Sequence, residues 1–191
     1  MTTSIEALLM STSVVALAEM GDKTQLLSFV LATKLKRRGP IILGILVATL
    51  ANHFLAGSVG VWLARLVSPE VLRWIVALSF FAFALWALKP DKLDADRTLP
   101  GAGVFATTLV SFFLVEMGDK TQLATIALAA HYDALVAVVL GTTLGMMIAN
   151  VPAVWLGEAL TRRVSMQAMR WVAAALFVLL GLLALPWPGR A

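Results

Sequence analysis

Cysteine is absent from this chain of 191 residues, histidine occurs only twice, and Asp, Glu, Lys and Arg together make up just 14% of it. Without cysteine there can be no disulfide framework and no thiolate metal site. With so little charge, a soluble domain of this size could not cover its surface. The hydrophobic share of 60% and a mean hydropathy of +0.90 therefore indicate a polytopic membrane protein. The opening stretch MTTSIEALLMSTSVVALAE lacks the basic region and small-residue cleavage site of a removable signal peptide, and reads as the first half of a retained membrane helix. The formal charge of +4 does not indicate a nucleic-acid partner. The basic residues fall in short loops between apolar segments, a distribution that membrane topology explains better.

Hydropathy divides the chain into six apolar segments, at about 5–34, 41–64, 70–88, 103–130, 134–159 and 167–187. The breaks between them carry turn and cap chemistry. KLKRRGP ends in Gly39-Pro40, Ser68 precedes Pro69 as a helix N-cap, and LKPDKLDADRTLPG is a polar loop. Alternate loops on one side hold Lys34, Lys36, Arg37, Arg38, Lys89, Lys92, Arg97, Arg162, Arg163 and Arg170; the other side holds Arg65, Arg73 and Arg190. By the positive-inside rule the first side is cytoplasmic and both termini face outward. Trp62, Trp74, Trp86, Trp155, Trp171 and Trp187 lie mostly toward segment ends, where they suit interfacial anchoring, and Glu6 and Glu158 lie near the membrane faces.

Against this background one octet stands out. EMGDKTQL occurs at Glu19–Leu26 and again, letter for letter, at Glu116–Leu123. The same shift of 97 positions brings Gly44 onto Gly141 and Arg73-Trp74 onto Arg170-Trp171, and one residue of slack brings Ala51-Asn52 onto Ala149-Asn150. The expected architecture is an all-α membrane protein of two three-helix repeats, 1–88 and 103–191, joined by a cytoplasmic linker at 89–102. Because three is odd, the second repeat enters the bilayer in the opposite sense, which is the inverted-repeat plan of many secondary transporters.

About fourteen residues of the first segment precede Glu19, roughly 21 Å of helix, and about ten follow the octet, roughly 15 Å. Both octets thus fall near the centre of a hydrocarbon layer about 30 Å thick. One Asp or Lys there costs about 2.5–3.5 kcal/mol even on a lenient insertion scale, so these groups must face inward, partly neutralise one another and bind something. In a continuous helix Glu19 and Asp22 share a face (i, i+3) and Lys23 lies one turn beyond Glu19. Gly21 and Gly118 permit local unwinding, so the two motif helices are expected to be kinked or broken near the midplane, freeing backbone carbonyls. An internal Glu–Lys salt bridge alone would not need the accompanying aspartate, glutamine and threonine.

If the motifs meet at one site, four carboxylates and two ammonium groups leave a net of −2, which one divalent cation would balance. With no cation present, close carboxylates in a dry site cannot all remain ionised, and some take up protons. A site that exchanges protons for a divalent metal is an antiporter in outline. Hard oxygen donors without cysteine suit Mn²⁺, Ca²⁺ or Mg²⁺. Glu19, Asp22, Glu116, Asp119, Gln25 and Gln122 are the candidate metal ligands. Glu19, Glu116, Lys23 and Lys120 are the candidates for proton coupling and charge tuning. Thr24, Thr121, Asn52 and Asn150 are candidate supporting hydrogen-bonders, although the two asparagines could equally serve to hold helices together. His53, with no counterpart in the second repeat, reads as a packed or interhelical hydrogen-bonding residue, and Pro152 as a kink.

Paired E-x-G-D-K-[ST] motifs, here Glu19-Met20-Gly21-Asp22-Lys23-Thr24 and Glu116-Met117-Gly118-Asp119-Lys120-Thr121, resemble the signature of the Golgi manganese/calcium–proton exchangers and their bacterial manganese-exporter relatives. The resemblance spans nearly the whole chain. It implies cation export coupled to proton entry, with the motif carboxylates Glu19, Asp22, Glu116 and Asp119 binding the ion. The chain lacks the extra N-terminal segment of eukaryotic members, and its short central loop carries only Asp91, Asp94 and Asp96. Both features resemble a bacterial inner-membrane member exporting Mn²⁺, with no permanently bound cofactor, H⁺ as the counter-ion and the lipid bilayer as a partner. Two other readings remain open: an exporter of a cationic organic solute such as a basic amino acid, and an intramembrane carboxylate enzyme. The latter would lack an evident nucleophile or histidine cluster.

Overall fold

The computed structural model describes residues 2–89, 103–156 and 166–186. The linker acids Asp91, Asp94 and Asp96, the basic residues Lys92, Arg97, Arg162, Arg163 and Arg190, and Glu158 and Trp187 lie outside these residues. All regular structure among the described residues is helical: α1 (Thr2–Glu19), α2 (Lys23–Leu35), α3 (Arg38–Ala64), α4 (Pro69–Ala87), α5 (Val104–Glu116), α6 (Lys120–Tyr132), α7 (Leu135–Leu156) and α8 (Met166–Ala184). The boundaries follow local chemistry. Ser68 caps α4 by accepting from the Val71 N–H at 3.4 Å, with Pro69 at the first helical position. Lys36 and Asp133 close α2 and α6 in the left-handed conformation, at φ 53° and 47°.

By length and composition α3, α4 and α7 can each cross a membrane alone. The α1 and α2 helices qualify together as one span bent by 70°, while α5 and the apolar part of α8 (Arg170–Ala184) are shorter. The side chains are distributed inside out relative to a soluble protein. Leu85, Val136, Trp62 and Trp171 are exposed, whereas Glu19, Asp22, Glu116, Asp119 and Lys120 are buried. Apolar surface outward and ionisable groups inward is the arrangement a hydrocarbon solvent demands, and the chain is a multi-pass membrane protein. Arg38 lies over the Trp155 ring at 4.9 Å, so this exposed tryptophan also carries a cation partner.

The helices interlock across the two halves. Helix α1 packs on α7, and correspondingly α5 packs on α3. Glycines set both crossings: a Cβ on Gly141 would lie 2.5 Å from the Leu8 carbonyl and 2.9 Å from Ser11 Cβ. A Cβ on Gly44 would lie 3.0 Å from the Phe105 carbonyl and 2.7 Å from Thr108 Cβ. Leu8 and Phe105, like Ser11 and Thr108, are 97 positions apart. The repeat therefore extends from the motif to the contacts around it, and it uses the small residues that membrane helices use for close approach.

Two hydrophobic clusters flank the helix breaks. One joins α1, α4, α6 and α8, with Val138 of α7, and contains Phe80, Phe83 and Phe177, whose ring centroids lie 5.8–6.3 Å apart. The other joins α2, α3, α5 and α7 around Leu31, Ile41, Ile45 and Phe112. Among the described residues none of α4 or α8 belongs to this second cluster.

Candidate functional site

Each motif breaks its helix in the same way. Glu19 ends α1 and Glu116 ends α5; after three intervening residues the chain re-enters a helix at Lys23 and at Lys120. The turns close through Asp22 N–H to the Glu19 carbonyl and Asp119 N–H to the Glu116 carbonyl, both at 3.0 Å. Met117 at φ −63°, ψ 119° followed by Gly118 at φ 78° defines a type II turn, and Gly21 takes the matching φ of 85°. Only the positive φ demands glycine at position 118, since a Cβ there would meet nothing within 4 Å.

The glutamines secure these turns. Gln25 Oε1 accepts from the Gly21 N–H at 2.9 Å, and Gln122 Oε1 accepts from the Gly118 N–H at 2.7 Å. Their amide ends reach into the opposite half. Gln25 Nε2 donates to the Ala149 carbonyl at 3.0 Å, while Gln122 Nε2 donates to Asn52 Oδ1. In this arrangement both glutamine carbonyls serve the backbone of the break. A backbone N–H freed within a membrane helix must find such a partner.

Asp22 and Asp119 occupy the N-cap positions of α2 and α6, yet neither side chain caps its own helix. Both turn across to the other motif. Lys23 Nζ lies 2.8 Å from Asp119 Oδ1, and Lys120 Nζ pairs with Asp22 Oδ1. A lysine at a helix N-terminus opposes the helix dipole, so its place there is justified by this cross-pairing. The expectation of Lys23 one helical turn beyond Glu19 is corrected by the break. With Met20–Asp22 outside any helix, the i, i+4 relation no longer holds, and the lysine faces the aspartate of the other half.

The glutamates are held from their own side. Thr24 Oγ1 donates to Glu19 Oε2, and Thr121 Oγ1 donates to Glu116 Oε1 at 2.5 Å and to Asp119 Oδ2 at 3.3 Å. The remaining oxygens, Glu19 Oε1 and Glu116 Oε2, are buried without a hydrogen-bond partner among the described residues. One carboxylate oxygen from each of Glu19, Asp22 and Asp119 falls within a set whose members all lie within 4.8 Å of one another. Oxygen ligands on opposite sides of a hard cation, each about 2.4 Å from it, lie about 4.8 Å apart, so these three can share one ion. Glu116 adjoins this group. A small recess lined by Met20, Gly21, Asp22, Ala87, Lys120 and Arg170 reaches two of the site's charged groups, Asp22 and Lys120.

The asparagines hold the surroundings unequally. Asn52, besides accepting from Gln122, donates to the Phe113 carbonyl at 3.3 Å. Asn150 donates to the Met146 carbonyl at 3.0 Å and accepts from Ser28 Oγ at 2.8 Å. The repeated spacing sets an amide four residues after each turn glycine, but that this amide serves the turn's own N–H is visible only in the structure. His53 lies in the site as well: it is fully buried, with Nε2 3.8 Å from Glu116 Oε1. It is not repeated, so comparing the two halves could not reveal it. Pro152 sits inside α7.

A family model described as "Divalent cation/proton antiporter GDT1" matches residues 7–95 and 104–187. A "Putative manganese exporter" of Vibrio cholerae is 47% identical over 179 residues, covering 93% of this chain and 90% of its own length. A "GDT1-like protein" of Synechocystis is 29% identical over 86% of this chain and 89% of its own length. "GDT1-like protein 5" of Arabidopsis thaliana is 26% identical, with 90% and 92% covered. No solved structure matches the chain at a significant level.

Proposed function

The chain belongs to the GDT1 family of divalent cation/proton antiporters, and on that footing we propose that it exports Mn²⁺ from a bacterial cytoplasm in exchange for protons. The family is one of transporters rather than enzymes, which removes the carboxylate-enzyme alternative. The observation that carries the proposal is the convergence of two separate acidic motifs on one buried cluster, each motif's lysine paired with the other's aspartate. Two ammonium groups among four carboxylates leave the charge deficit that one divalent cation balances.

In this reading Glu19, Asp22, Glu116 and Asp119 bind metal and protons alternately. Lys23 and Lys120 are tethered counter-ions that hold the aspartates while no metal is bound and withdraw when it arrives. Gln25 and Gln122 hold the broken helices in shape, Thr24 and Thr121 orient the glutamates, and Asn52 and Asn150 brace the neighbouring helices. The architecture is two inverted three-helix repeats, 1–88 and 103–191, around a cytoplasmic linker at 89–102. They form six spans in the inner membrane, with both termini outside. The break in each motif helix and the equivalent glycine crossings support this plan.

Alternating access follows from the same geometry. With the termini outside, the α1/α6 side of the breaks is external and carries the Phe80, Phe83 and Phe177 seal joining α4 and α8 to α1 and α6. Among the described residues none of α4 or α8 joins the cluster on the cytoplasmic side, and the recess lined by Arg170 is also lined by Asp22 and Lys120. This packing supports a state closed outward, from which rocking α4 and α8 from one side to the other would expose the cluster in turn.

Purified protein in proteoliposomes tests the proposal. Mn²⁺ uptake should follow an opposing pH gradient, should move protons the other way, and should stop when a protonophore collapses the gradient. Flux indifferent to the gradient, or Mn²⁺ uptake displaced by free lysine rather than by Ca²⁺, would overturn it.

A further inference from the structure

We propose that His53 supplies a nitrogen ligand to the transported ion beside Glu116, and so biases the site toward Mn²⁺ and against Ca²⁺ and Mg²⁺. The inference rests on the antiport reading and adds a selectivity element to it.

His53 lies in α3 next to Asn52, and its side chain is fully buried. Neither ring nitrogen has a hydrogen-bond partner among the described residues. A buried polar ring left unsatisfied is costly, and an apolar residue would fill the same space without that cost. Its Nε2 stands 3.8 Å from Glu116 Oε1, too far for a hydrogen bond. The distance does suit two donors on one ion, since ligands each about 2.1 Å from a metal lie up to about 4.2 Å apart. Glu116 Oε2, also buried and without a hydrogen-bond partner, adds a second open donor at the same place. The residue at the equivalent position of the second half is Val151, which offers no donor, so the nitrogen enters from one side only.

The chemistry of that donor gives the selectivity. Ca²⁺ and Mg²⁺ take oxygen almost exclusively, whereas an imidazole nitrogen suits first-row transition ions. Carboxylates alone would hold all three, and one nitrogen in the shell tilts the balance. Ligating histidines usually donate their second N–H to an acceptor that stiffens them. Nδ1 of His53 has no hydrogen-bond partner among the described residues, which makes for a weaker ligand and suits cargo that must be released.

Electron paramagnetic resonance of Mn²⁺ bound to the purified full chain in detergent decides the matter. With ¹⁵N-labelled histidine, the two histidines are the only labelled positions. We expect the bound ion to show ¹⁵N hyperfine coupling that survives His131→Gln and vanishes in His53→Gln. The His53→Gln variant should also lose at least about tenfold in Mn²⁺ affinity while Ca²⁺ affinity stays within about twofold. Bound Mn²⁺ without ¹⁵N coupling, or coupling that persists in His53→Gln, overturns the inference and leaves the antiport reading intact. Should that variant fail to fold, the wild-type coupling measured against His131→Gln still decides. A wild-type chain that binds no Mn²⁺ removes both.

Discussion

The two copies of the motif are identical in sequence and turn geometry, yet their surroundings differ. Around the first break, Gln25 reaches the main-chain carbonyl of Ala149, and Asn150 is occupied with Ser28 and its own helix. Around the second, Gln122 reaches a side chain, Asn52, which also holds Phe113, and His53 stands beside Glu116. The lysines differ too: the Lys23 side chain is 21% exposed and that of Lys120 only 5%. What the copies share is therefore the charge needed to hold an ion. What they do not share is the support, which is denser around the second copy.

The acids test the shared part. Glu19→Gln and Glu116→Gln should each cut gradient-driven Mn²⁺ flux in vesicles by more than about 100-fold, since changes outside the first coordination shell alone cost about 10–100-fold. A large loss from one glutamate and a small one from the other would show that the site is built on a single motif. The lysines test the difference. Lys120→Met leaves a buried aspartate without its ammonium partner and should destabilise by about 3–5 kcal/mol. Lys23→Met also strips a buried aspartate, Asp119, of its partner, but from a lysine that is already partly exposed, and should cost less, about 2–3 kcal/mol. Thermal unfolding in detergent measures both. A double-mutant cycle should give Lys120 a coupling of about 1 kcal/mol or more with Asp22 and less with Glu116 four residues before it. Stronger coupling to Glu116 would return the ion pair to a single motif.

Much of this was readable from residues alone. Six apolar runs gave the helices to within a few residues, because a hydrocarbon solvent leaves few alternatives for the backbone. Glycine at Gly21 and Gly118, inside long apolar segments, marked the breaks, and the repeated acids marked the buried cluster proposed as the site. The cross-pairing of the lysines was not legible. Helical spacing within one motif pointed to Glu19 and Lys23, and only the mutual approach of the halves brings Asp119 within reach. The glutamines' bonds to the breaks were not legible for the same reason: an amide can serve an ion or a backbone N–H, and the turn that exposes Gly21 N–H exists only in three dimensions. His53 fell outside a method that compares the halves, because its counterpart is Val151.

The turn glycines should return the copies to equality. Alanine at Gly21 or Gly118 must adopt a positive φ, costing about 1–2 kcal/mol at either break. Equal falls in unfolding temperature are expected. Asparagine at either position should cost less, because it tolerates that conformation. A Gly21→Ala variant much milder than Gly118→Ala would mean that the first break can straighten into continuous helix.

The smallest effect is expected at the asparagines, and it sharpens the contrast most. Hydrogen bonds between membrane helices average about 0.6 kcal/mol. Asn150→Ala removes one such link, from α7 to α2 through Ser28. Asn52→Ala removes two, from α3 to α6 through Gln122 and from α3 to α5 through Phe113. These two bridge both sides of the second break, so losing them lets Glu116 and Asp119 drift apart, whereas the Ser28 link leaves Glu19 and Asp22 tied by Gln25. Calorimetric titration with Mn²⁺ should therefore find affinity lowered by about 3–10-fold in Asn52→Ala and by less than about twofold in Asn150→Ala. The reverse order would move the better-braced side of the site to α7 and would leave the Asn52 bridges without a part in holding the ion.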